Sequence, residues 1–445
     1  MGEELQIWGT TTAQVTLYYI FVLLAFLYSL YKYKSQPFLI FVILFFFTGL
    51  ISAFGKNIFD IFKISLTILS LYWLVRYNAL SFKTFRPFLF VSFFIFSLTF
   101  FLSAYLNGDY FSIVFSQYSR YFILLVVLLI FLKLRDNEIF SMKISKLLYF
   151  ILLIQIVLSG IKLLIMGPRE SLVGSITSQG GAAASILPIL GFMFLWIRNK
   201  RMLVRKDWFF IIGLLFIGFV GSKRAIWFLM PIIIAAFLIY ENRKKLAFKY
   251  ILIGLIVAPL ILYLGLKLSP TLNPENKIWG SFDLNFALNY ADKYSYGDQE
   301  QPDVIVGRNS ITNFIVTKFL EGDVGKEDWF GYGLRFMYAT NYEEFSELGL
   351  YTEHKGSATG IFQTMVSNGY IGVLSTLLFA ISMLWIIKNK RFRLILLLYF
   401  FWEYFYYTGS ILREYSLSFL FIYIIAYADS LSIPVKLSRK SMNLT

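Results

Sequence analysis

The side chains best suited to chemistry in this chain are few. His354 is the single histidine, in the run Glu353-His354-Lys355. A neutral imidazole takes a proton near physiological pH, so His354 is the best-suited general base, with Glu353 as the fallback carboxylate. Arg120, Arg169, Arg224, Arg308 and Arg413 form a second group: Arg120 falls within or beside an apolar stretch, Arg169, Arg224 and Arg413 fall in short turns between apolar stretches, and Arg308 starts an expected loop helix. Cations at membrane depth are costly and functional by default, and the planar guanidinium fork matches phosphate oxygens bidentately. Together these residues could neutralise a diphosphate and deprotonate a hydroxyl. The plainer alternative for each arginine is snorkelling to headgroups or pairing with a loop carboxylate.

Composition says what must position them. The chain has 445 residues, 58% hydrophobic, 20% aromatic and 15% charged. Soluble domains are about a quarter charged, so the sequence excludes a soluble globular or disordered protein. Zero Cys excludes a disulfide framework, a thiolate metal site and a thiol nucleophile. The expected fold is an all-α polytopic integral membrane protein.

A membrane-crossing helix needs about 20 mostly apolar residues. About thirteen stretches qualify: 14–31, 37–54, 58–75, 87–106, 117–132, 147–166, 181–197, 208–220, 225–240, 250–268, 369–387, 394–408 and 416–431. The division is therefore 1–268 for ten helices, 269–357 for one large loop, and 358–445 for three helices and a short tail. Most of the 41 basic residues fall in alternate short loops, from Lys32 and Lys34 through Arg198 and Lys388 to Lys440. The positive-inside rule places those loops in the cytoplasm, the N-terminus and the large loop outside, and the C-terminus inside. The net charge of +15 is then a topology signal and implies no nucleic-acid partner. The first thirteen residues hold Glu3 and Glu4 but no Lys or Arg, so a cleavable signal is not expected.

The loop over 269–357 holds more than half of the 26 acidic residues. Long loops tend to be functional, and this one should carry short amphipathic helices near 309–320 and 340–348. Trp279, Tyr290, Tyr294, Tyr296, Trp329 and Tyr332 could stack on sugar faces. Two carboxylate pairs, Asp298 with Glu300 and Glu321 with Asp323, lack an accompanying ligand set, so no metal centre is expected. A solvated connector lying on the membrane surface is the alternative.

The stretch GSKRAIWFLMPIIIAAFLI at 221–239, GRNSITNF at 307–314, WFGYG at 329–333 and EHKGSATGIFQTMVSNGYIGVLSTLLF at 353–379 resemble the superfamily of O-antigen polymerases and O-antigen ligases. The resemblance covers about 169–379, including Arg169 with Gly180 eleven positions later. It departs from the family where Lys355 follows the histidine and where Lys223 separates Ser222 from Arg224. It implies a C-type glycosyltransferase architecture in the bacterial cytoplasmic membrane, with the active site facing the periplasm and no cofactor or obligatory metal. Implied partners are undecaprenyl-diphosphate-linked oligosaccharide as donor and acceptor, membrane lipids and a chain-length regulator protein. Arg224, Arg308, Arg169 and Arg120 would hold the diphosphate, His354 or Glu353 would serve the acceptor hydroxyl, and Trp329 and Tyr332 would bind glycan. The expected activity is a polysaccharide polymerase. An O-antigen ligase acting on lipid A-core is the near alternative. A flippase for lipid-linked sugars, using Lys63, Arg120 and Lys162 as mid-membrane charges, is the alternative of another class.

Overall fold

In the computed structural model, the described residues are 11–81, 84–167, 172–176, 182–199, 205–220, 325–334, 359–407 and 409–429, with isolated positions at 226, 229, 230, 232, 233, 236, 316 and 319. Their regular structure is helical, with no strand among them. The helices are α1 (Thr12–Lys32), α2 (Pro37–Phe46), α3 (Thr48–Ala53), α4 (Lys56–Arg76), α5 (Pro87–Leu106), α6 (Phe111–Leu134) and α7 (Glu138–Met166). They continue with α8 (Ala182–Arg198), α9 (Arg205–Val220), α10 (Lys326–Phe330), α11 (Gly360–Trp385), α12 (Lys390–Tyr406), α13 (Ser410–Arg413) and α14 (Tyr415–Tyr427). Six of these, α1, α4, α5, α6, α7 and α11, are long and apolar enough to cross a membrane. Helices α2, α8 and α14 are apolar but shorter.

Local sequence explains several helix starts. Thr11 and Gln14 close a reciprocal capping box on α1. Asn137 caps α7 and Asn389 caps α12 through their side chains. Pro37 and Pro87 open α2 and α5, where the missing N–H costs nothing.

Every residue of α14 is buried, as are residues 183–197 of α8. Phe419 of α14 packs against Phe45, Phe46 and Phe131, tying α2 and α6 to this centre. Helices α1, α4 and α5 instead expose large apolar side chains such as Leu24, Leu27, Ile68, Phe94 and Leu98. Burial inside and apolar side chains outside is the pattern of a bundle whose surrounding solvent is lipid.

The stretch 37–54 is not one helix. It breaks at Phe47, and residues 172–176 reach into the break. Ser175 Oγ donates to the Phe46 carbonyl (2.9 Å), Gly49 N donates to the Ser175 carbonyl (2.9 Å), and Thr48 Oγ1 donates to the Ile176 carbonyl (2.7 Å). Gln155 of α7 accepts from Ser175 N (2.7 Å), and the Tyr18 hydroxyl donates to the Gly174 carbonyl (2.6 Å). Irregular backbone survives within an apolar bundle where protein groups take up its polar atoms, as these bonds do here.

The bundle has two chemically different ends. One carries Lys32, Arg76, Arg86, Lys133, Arg135, Arg198, Lys388 and Lys390; the other carries the turns around 107–110, 325–334 and 409–414.

Candidate functional site

At the end opposite the basic loops, α11 is interrupted. Gly369 has φ 67° and ψ −167°, so a helical segment over 360–368 meets a second one at an angle. That break frees two carbonyls, and the WFGYG segment takes them. Tyr332 N donates to the Val366 carbonyl (2.7 Å) and Gly333 N to the Ser367 carbonyl (3.1 Å). The same strap is tied to α5 and the turn after it. Ser103 Oγ donates to the Phe330 carbonyl (2.5 Å), Lys326 Nζ to the Leu106 carbonyl (2.6 Å), and Leu334 N to Asp109 Oδ2 (2.7 Å). Two glycine motifs that look unrelated in the sequence thus form one unit.

Beneath the strap lies a cavity of about 150 Å³. Phe96 and Phe100 of α5, Gln117, Arg120 and Tyr121 of α6, Thr364, Ser367, Asn368 and Thr376 of α11, Leu334 of the strap and Arg413 at the end of α13 line it. This is room for several waters or one phosphate-sized group. The Arg120 guanidinium lies 5.8 Å from the ring centre of Tyr415. Thr364 Oγ1 is held between the Tyr404 hydroxyl, which donates to it, and the Gly360 carbonyl, to which it donates, both at 2.8 Å. Asn368 is only 7% exposed, and its Nδ2 has no hydrogen-bond partner among the described residues. A buried amide donor without an acceptor is costly unless a ligand or water supplies one.

Charge in the cavity is dominated by cations. Arg120 and Arg413 both act on Glu414, drawing its carboxyl downward, but burial prevails and raises it. Two guanidiniums, a spare amide donor and hydroxyls suit an oxyanion with several acceptor oxygens.

Comparison with family models, with characterised proteins and with solved structures finds no match.

Of the residues singled out in the sequence, Arg120 lines the cavity, and Trp329 and Tyr332 belong to the strap above it. Trp329 is 46% exposed and meets Tyr370 edge-on at 6.1 Å, leaving an indole face available on a firmly tied segment. Tyr332 is half-buried against Phe319, and burial, then Asp328 and Glu327, raise its hydroxyl. His354, Glu353, Arg169, Arg224 and Arg308 lie outside the described residues, as does most of 269–357. Of the expected loop helices, Val316 and Phe319 are helical as the first requires, while 340–348 lies outside the described residues. Among the described residues no three of His, Asp and Glu converge as metal ligands would.

Sequence reasoning placed Arg413 only as a cation of the last outer loop, and it passed over Gln117, Tyr121, Thr364 and Asn368. A signal existed for Asn368: it precedes Gly369, and a glycine inside an apolar helical pattern marks a bend or close backbone approach.

Proposed function

We propose that this chain is a membrane-embedded glycosyltransferase that moves a growing glycan, carried on a lipid diphosphate, onto a new lipid-linked repeat unit. The observation that carries the reading is the convergence of Arg120, Arg413 and the buried Asn368 amide in one cavity beneath the strap that bears Trp329. A sugar on a lipid diphosphate already has a good leaving group. The protein must neutralise charge on the departing diphosphate and orient a hydroxyl against the anomeric carbon. Arginines serve the first need and an exposed indole on a fixed segment serves the second by stacking on a sugar face.

The bonds balance simply. The acceptor hydroxyl oxygen bonds to the anomeric carbon, the bond from that carbon to the diphosphate oxygen breaks, and a base takes the hydroxyl proton. His354 is our choice of base, with Glu353 behind it, and Arg169, Arg224 and Arg308 would complete the diphosphate site. The finer architecture belongs to the same proposal: thirteen spans in a bacterial cytoplasmic membrane, the strap end facing the periplasm, and a chain-length regulator as partner.

The purified chain in liposomes, supplied only with lipid-diphosphate-linked repeats, should make a ladder of longer glycans. Arg120→Ala with Arg413→Ala should leave single repeats. Inertness until lipid A-core is added would replace the polymerase reading by the ligase one. Movement of lipid-linked sugar across the bilayer without a new glycosidic bond would replace both by the flippase. Against the flippase stands Lys63, whose ammonium is engaged by Asp60 at 2.8 Å and Ser116 at 2.7 Å.

A further inference from the structure

The basic end of the bundle holds cations stacked on rings. Lys32 Nζ of α1 sits 3.8 Å from the ring centre of Phe150, and the Arg198 guanidinium of α8 sits 3.9 Å from that of Tyr149. Those two rings are consecutive on α7 and point about 100° apart, so α1 and α8 bring their cations to adjacent flanks of the same helix turn. Lys146 is three residues before Tyr149 and four before Phe150, which puts it one turn away, between the directions of the two rings. Lys32 and Lys146 are exposed. Among the described residues the ion pairs are Lys63 with Asp60 and Arg135 with Asp136, so none of Lys32, Lys146 or Arg198 is neutralised by a carboxylate there. The acidic groups of this end are otherwise engaged or apart: Asp207 accepts from Asn199 (2.8 Å), and Glu138 begins α7 two turns before Lys146.

Depth is given by helix length. At about 1.5 Å per residue a hydrocarbon core of about 30 Å takes some 20 residues, the distance from Met166 back to Lys146. A core-spanning stretch of the 29-residue α7 that ends at Met166 would begin near Lys146, which puts a lipid headgroup at that turn. Beside it α1 presents Leu24, Leu27 and Tyr28, all more than half exposed, as a track for an acyl chain.

We propose that this turn is a binding site for an anionic phospholipid of the leaflet at that end, its phosphate held by Lys32, Lys146 and Arg198. Stacking on Phe150 and Tyr149 holds two of the three cations in place before the lipid arrives, so less side-chain freedom is lost on binding. The proposal is independent of the glycosyltransferase reading.

The test uses the full chain in phosphatidylcholine nanodiscs with and without phosphatidylglycerol, with retained lipid measured by native mass spectrometry through stepwise delipidation. Phosphatidylglycerol should be kept preferentially. Each cation is worth about a fivefold change in affinity, so Lys32→Ala, Lys146→Ala and Arg198→Ala together should weaken retention on the order of a hundredfold. Tyr149→Leu with Phe150→Leu, which keeps every charge, should weaken it severalfold. Lys32→Arg with Lys146→Arg should preserve it, which separates lost binding from lost folding. Equal retention of phosphatidylcholine by the wild-type chain would overturn the proposal. So would an equal loss on removing Lys388, Lys390 and Arg391, since that would mean a general basic belt, or an unchanged affinity in the ring variant.

Discussion

Gly331 and Gly369 meet backbone to backbone. A Cβ on Gly369 would lie 2.4 Å from the carbonyl carbon of Trp329, and one on Gly331 would lie 2.5 Å from the amide nitrogen of Asn368. Both residues have positive φ, 73° and 67° respectively. This contact lets the strap reach the two carbonyls that the α11 break exposes, and so roofs the cavity.

Gly369→Ala and Gly331→Ala should each lower the melting temperature of the detergent-solubilised chain. Positive φ with ψ near 180° is essentially a glycine-only conformation that costs an L-residue roughly 1–3 kcal/mol, and the backbone atoms a Cβ would meet cannot rotate away. Gly160, helical with open space around it, is the control: Gly160→Ala should be neutral or stabilising by up to about 1 kcal/mol. Equal melting temperatures for all three variants would mean that the strap contact contributes nothing.

Arg120→Ala, Arg413→Ala and Asn368→Ala should each weaken binding of undecaprenyl diphosphate. A hydrogen bond to a charged group is worth about 1.5–3 kcal/mol, or roughly tenfold to a hundredfold in affinity. Arg413→Lys, which keeps the charge but loses the fork, should fall between. Titration calorimetry in detergent reads these directly, and three variants that bind like the wild type would remove the cavity from the mechanism.

The raised Glu414 carboxyl makes a pH prediction. A carboxyl held above its ordinary value of 4.5 favours the folded state most when protonated. Its contribution is complete below about pH 4.5 and is lost as pH rises through the raised value. Glu414→Gln carries no charge at any pH, so its melting temperature should fall less than that of the wild type over that window, with the two curves closest at the acid end. Superimposable curves would show that burial of Glu414 has no linked cost.

Gln155 and Ser175 should be energetically coupled. Gln155→Leu leaves the buried Ser175 N–H without its acceptor, a loss of about 1–3 kcal/mol. Ser175→Ala removes the hydroxyl bonds to Phe46 and Gln155. A double-mutant cycle on thermal unfolding should give a coupling of about 0.5–3 kcal/mol, whereas strict additivity would mean the 172–176 segment is not held by this pair.

Asp60→Asn should destabilise the chain and Lys63→Met with Asp60→Asn should restore much of the loss, because the single change leaves the buried Lys63 ammonium without its carboxylate. Glycan elongation should survive in the double variant. Its disappearance without loss of folded protein would return Lys63 to a transport role.

Much of the framework was legible in one dimension. The stretch 87–106 coincides with α5, the prolines and polar caps mark helix starts, and the alternation of basic loops matches a bundle with one cationic end. Hydropathy decides which residues leave water, and that can be read residue by residue. Arg120 stands out in the sequence as a cation beside an apolar stretch and Trp329 and Tyr332 as loop aromatics, and they lie at the cavity or its roof. The break at Phe47, the seat of 172–176 within it, and the meeting of Gly331 with Gly369 were not legible, and neither was the partnership of Arg120 with Arg413. Those are pairwise properties. In lipid, apolar surface gives helices no preference among neighbours, so register is decided by close glycine contacts, interhelical hydrogen bonds and side-chain packing, which exist only once the helices are together.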